Sequence, residues 1–79
     1  MKTNIYIEGI AKESEKAVCL HCLVSYNDNK AKARDIWFPK SVCKVISEHL
    51  AEVENWFIAK TSEANAFNGY RMNFETYMA

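Results

Sequence analysis

Polar and apolar residues alternate from the start of the chain. In "NIYIEGI" (4–10), Ile5 and Ile7 share one side, and Tyr6, Glu8 and Ile10 share the other. A period of two predicts a β-strand. The following "AKESEK" (11–16) is polar apart from Ala11 and reads as a turn. Residues 17–26, "AVCLHCLVSY", form the most apolar stretch. Val18, Leu20, Cys22, Val24 and Tyr26 lie on one face and Ala17, Cys19, His21, Leu23 and Ser25 on the other, which predicts a strand inside the sheet. "NDNK" (27–30) supplies residues suited to a tight connection. A third strand runs from about Lys32 to Phe38, with Ile36 and Phe38 on one face and Asp35 and Trp37 on the other. Short polar connections between the three imply antiparallel hairpins.

After Pro39 the spacing changes. Ile46, Leu50, Val53, Phe57 and Ala64 recur at intervals of four, three, four and seven, and at 100° per residue they stay within about 40° of one direction. Val42, His49 and Trp56 widen this stripe, while Ser47, Glu48, Ala51, Glu52, Asn55, Ser62 and Glu63 oppose it. The pattern predicts an amphipathic helix, N-capped by Ser41 or Ser47, with Glu48, Glu52 and Glu54 favoured by the macrodipole in its first half. Residues 42–46, rich in β-branched side chains, fit either a strand or the helix start. Gly69 suits the position just past the helix end. Beyond it "YRMNFETYM" (70–78) alternates again, with Tyr70, Met72, Phe74, Thr76 and Met78 on one face. It reads as a fourth strand, with a disordered tail as the alternative. The expected fold is α+β: a β-β-β-α-β antiparallel sheet with one helix on one face, and residues 1–79 as a single compact domain.

Composition narrows the function. Seventy-nine residues make one domain with a thin stability margin. Ten basic and ten acidic residues cancel, so net charge supplies no general attraction to nucleic acid or membrane and does not suit an acidic DNA mimic. No apolar run approaches the roughly 18 residues of a membrane span. Three cysteines and a polar N-terminus lead us to expect a soluble cytoplasmic protein with reduced thiols.

Several groups invite chemical readings. Cys19, His21, Cys22, Cys43 and His49 are zinc-ligand types. On a strand, however, Cys19 and His21 point away from Cys22. We expect no metal and no cofactor. Cys19 and His21 could form a thiol–imidazole pair, but nothing nearby supplies an oxyanion site or a glycine-rich turn. We expect no enzyme activity. Lys30, Lys32 and Arg34, spaced by two, project to one side, with Lys40 and Lys44 just beyond. With an aromatic platform such a row could hold a nucleic-acid single strand, though charges at a strand entrance also protect an edge from pairing. The abundance of aromatic residues (two Trp, four Tyr, four Phe) exceeds what one small core needs. A helix covers only one sheet face, and exposed aromatics anchor interfaces. We therefore favour protein binding through Tyr6, Trp37, Lys40 and Trp56, with a second copy of the chain as another occupant. Single-stranded nucleic acid at Lys30, Lys32, Arg34, Lys40 and Lys44 is the alternative.

The run "IWFPKSVCKV", followed by "VENWFIAK" (53–60), resembles a pattern in small accessory proteins of phages and mobile elements: a charged hairpin, a Trp-hydrophobic-Pro-Lys-Ser segment and a later Trp-containing helix. The resemblance spans about residues 17–60. It implies a phage-type protein acting in the cytoplasm of an infected cell. Such proteins include inhibitors of host defence, among them anti-CRISPR proteins, and partners of phage replication and recombination. A host or defence protein complex is then the expected target. Within "DIWFPKS" (35–41), Phe38 and Ile36 should lie under the helix and Trp37 with Asp35 on the uncovered face.

Overall fold

The first strand, β1 (Lys2–Glu13), opens the fold in the computed structural model, which describes residues 1–26 and 30–77. Ile5 and Ile7 are buried, and Tyr6 and Glu8 face outward, as the alternation requires. The strand runs further than its alternation suggests, because Ala11 to Glu13 continue the ladder and the turn is confined to the residues around Ser14. Ser14 closes that turn by donating its N–H to the Ala17 carbonyl at 2.8 Å. β2 (Ala17–Ser25) turns Val18, Leu20, Cys22 and Val24 inward, and β3 (Lys32–Pro39) turns Ile36 and Phe38 inward. The ladder sets Leu20 against Ile36 and Val18 against Phe38. The expected connection at 27–30 lies outside the described residues except for Lys30.

Residues 47–54 depart from the helical expectation, and 43–46 take the strand alternative. They form a hairpin, β4 (Cys43–Ser47) and β5 (Leu50–Glu54), turning at Glu48 and His49. Burial shows why. Ala51, on the polar side of the supposed helix, is 0% exposed, and Ile46, on its apolar side, is 50% exposed. Ala51 and Val53 are both buried with a period of two, and Ala51 stands opposite Ile5 of β1. The interval of three between Leu50 and Val53 had fitted a helix, but cross-strand pairing with β1 decides the outcome. Glu48 therefore sits in a turn and Glu52 and Glu54 on a strand, not near a helix N-terminus.

The helix α1 (Asn55–Ala64) follows β5 directly, with no side-chain N-cap and no acid in its first turn. Its Asn55 N–H is satisfied instead by the Met1 carbonyl at 3.0 Å. Phe57, Ile58, Thr61 and Ser62 face the sheet. At its end the Asn65 side-chain amide donates to the Thr61 carbonyl at 2.9 Å. Gly69 does not cap this helix. Asn68 (φ 52°) and Gly69 (φ 82°) form a two-residue hairpin turn closed by reciprocal hydrogen bonds between Phe67 and Tyr70, 2.9 Å each. Two successive positive φ angles are the reason Asn-Gly suits this turn.

The C-terminal segment is ordered and extended as far as Tyr77, so the tail alternative fails there; Met78 lies outside the described residues. The segment makes two short strands, β6 (Asn73–Phe74) and β7 (Thr76–Tyr77). The sheet order is β3-β2-β1-β5-β4, with β6 pairing β2 and β7 pairing β1. β1 is irregular in register around Gly9 (φ 146°). Its first half pairs β5 and its second half pairs β2. Towards the start of β1 and the end of β2, residues 73–77 occupy the space between these two strands: Tyr6 N–H reaches the Glu75 carbonyl at 2.8 Å, and Glu75 N–H reaches the Leu23 carbonyl at 2.9 Å. Met72 and Phe74 join the core with Ile5, Ile7, Leu20, Val24, Phe38 and Val53. The result is the expected α+β class, a five-strand antiparallel sheet with one helix.

Candidate functional site

Trp37 is 48% exposed, while its neighbours Ile36 and Phe38 are buried. Strand alternation separates the two adjacent aromatics as expected. Phe38 packs in the core against Phe57 and Phe74, with ring centroids 5.6 and 6.2 Å away. Trp37 stands beside Asp35 on the opposite face of β3, across the ladder from Cys19. β3 is an edge strand: β2 is its only ladder partner among the described residues.

Trp37 borders a groove of about 310 Å³ between β3 and α1. Ile36, Phe57 and Ala64 provide apolar lining, and Asp35 and Lys60 bring one charge of each sign. Phe57 also touches Trp56, whose ring centroid is 5.7 Å away at 83° and which is 58% exposed. Phe57 thus lines the groove that Trp37 borders and also touches Trp56, a role its place in the apolar stripe does not suggest. The Trp-Phe dipeptide at 56–57 was its one visible signal. A groove of apolar walls and few polar groups, beside an open strand edge, can take an apolar side chain from an extended partner.

The other expected residues lie elsewhere. Tyr6 sits on β1 with its ring edge-on to Tyr77 at 5.9 Å. Lys40, just beyond β3, donates from Nζ to Glu13 at 2.6 Å. The basic row divides. Lys32 lies over the Tyr26 ring at 5.8 Å, and Arg34 donates to the Tyr26 hydroxyl at 2.8 Å, which in turn donates to the Asn65 carbonyl at 3.0 Å. These two side chains project to the same side of β3 as Ile36 and Phe38, opposite Trp37. Lys30 is exposed before β3. Lys40 and Lys44 border a separate polar recess of about 190 Å³, shared with Lys2, Glu52 and Glu54.

The thiols are poorly suited to nucleophilic work. Burial pushes Cys22 up to about 12 and Cys43 up to about 11. Cys19 is also raised, by burial first and the Asp35 carboxylate second, with Lys12 opposing. His21 pairs through Nδ1 with Asp35, its neighbour across the ladder. Among the described residues no three His, Cys, Asp or Glu side chains gather closely enough to hold a metal ion, and no helix is long and apolar enough to cross a membrane.

The fold and groove define a small α+β domain with an open, aromatic-bearing sheet edge. No protein-family model, curated protein or solved structure matches the chain.

Proposed function

We propose that this chain is a non-enzymatic binding protein that works by covering a surface of another protein. The observation that carries the reading is the half-exposed Trp37 at the free edge of β3, bordering an apolar groove that Phe57 connects to the exposed Trp56. Large aromatics left in solvent beside a shaped recess are the usual anchors of an interface. The resemblance of "IWFPKSVCKV" to phage accessory proteins supports a phage-type inhibitor whose target is a host macromolecule, such as a defence or CRISPR-Cas component. It acts in the host cytoplasm. The single-strand reading draws less support, because Trp37 and the Lys32–Arg34 pair occupy opposite faces of β3 and leave no shared platform.

Affinity capture from bacterial lysate, followed by cross-linking of the recovered complex, tests this. A stoichiometric protein with cross-links to residues 35–37 and 56–64 is the expected result. Recovery of nucleic acid alone, or of the chain bound only to itself, overturns it.

A further inference from the structure

The fold contains two places where β1 parts from a neighbouring strand. One, between β1 and β2, is filled by the chain's own residues 73–77, which supply backbone pairing to both strands and bury Phe74. The other lies between β1 and β5. Their last rung is the hydrogen bond from the Ile7 N–H to the His49 carbonyl, 2.9 Å. Beyond it Gly9, Ile10, Lys12 and Glu13 pair with β2, and no strand pairs the other side of this part of β1 among the described residues. Next to that unpaired edge is a groove of about 410 Å³, floored by Ile7, Ile10 and Val45 and bordered by Glu8 and Glu48. Ile10 is half exposed, and the backbone at Gly9 faces open space. This surface shares no residue with the Trp37 groove.

We propose that this second fork is a docking site for an extended peptide segment of a partner protein, bearing an apolar side chain flanked by Lys or Arg. The filled fork shows how this sheet accepts such a strand: main-chain pairing along β1 and an apolar anchor between the diverging strands. An unpaired edge selects an extended backbone. The apolar floor selects the anchor, and the two carboxylates at the rim select cationic flanks. Polyanionic nucleic acid is disfavoured by the same carboxylates.

The probe is a fluorescent heptapeptide of alternating Val and Lys, titrated into the full chain while amide NMR shifts are followed. Saturable binding should shift the amides of residues 8–11 and 45–49. Replacing the peptide's Lys by Glu should weaken binding about tenfold, as expected for two rim charges acting together. The double variant Glu8→Lys/Glu48→Lys, altered only at exposed side chains, should reverse that preference. Equal binding of the two peptides, shifts confined to β3 or α1, or no saturable binding overturns the proposal. So does concentration-dependent self-association that protects the same amides, which would give the fork to a second copy. The two wild-type titrations decide the matter even if the double variant folds poorly.

Discussion

Two adjacent aromatic residues have opposite fates because a strand sends them to opposite faces. Phe38 is fully buried and touches two other rings, so Phe38→Ala should cost about 3–5 kcal/mol in urea unfolding. Trp37→Ala removes a ring with nearly half its surface already in solvent, and should cost about 1–2 kcal/mol. A loss at Trp37 as large as that at Phe38 would make Trp37 a core residue and remove it from the interface. The thiols give a second test at this scale. Cys22 and Cys43 ionise near 12 and 11 in the fold against an ordinary value of 9.0. The folded state therefore holds their protons more tightly than the unfolded chain. Their contribution to stability is complete below pH 9 and declines as pH rises towards 11–12. Urea midpoints should fall between pH 8.5 and 10.5, by less in a Cys22→Ala/Cys43→Ala chain when each is compared with its own value at pH 8.5. Equal falls in the two chains would show that other groups dominate.

At the scale of elements, what could be read depended on how local the deciding interaction is. β1, β2 and β3 announce themselves through alternation that runs for seven residues or more, and the burial of Ile36 and Phe38 followed from it. The β4–β5 hairpin did not. Leu50, Val53 and Phe57 fit a helical spacing, and only pairing with a strand far away in sequence shows Ala51 and Val53 to be the inward pair. The aromatic part of the site was legible as residue types, Trp37 and Trp56. The groove beside Trp37 was not, because the apolar stripe places Phe57 wholly in the core and α1 starts later than the stripe implies. Gly69 reads from sequence as a helix stop for a similar reason: Asn-Gly marks a hairpin turn, but the turn is recognisable only once the helix is known to end at Ala64. Gly69→Val should cost about 1–2 kcal/mol through its positive φ, while Asn68→Gly should leave the unfolding midpoint nearly unchanged. Equal effects would contradict the turn assigned here.

For the whole molecule, the C-terminal segment completes the core. Residues 73–77 bridge β1 and β2, and Met72 is fully buried. Met72→Ala should lose about 2–5 kcal/mol, and a chain ending after Tyr70 should lose the cooperative unfolding transition. With both forks considered, the described residues leave the sheet one closed and one open junction, and its outer strand β3 carries Trp37, the most exposed aromatic of the described strands. That arrangement underlies the proposal that the protein binds another protein through this edge. The most direct test of this account is isothermal titration of the captured partner with three folded chains: wild type, Trp37→Ala and Lys30→Ala. Affinity should fall more than tenfold for Trp37→Ala, equivalent to more than about 1.4 kcal/mol, and less than threefold for Lys30→Ala. Equal losses, or a larger loss for Lys30→Ala, would contradict binding through the Trp37 groove.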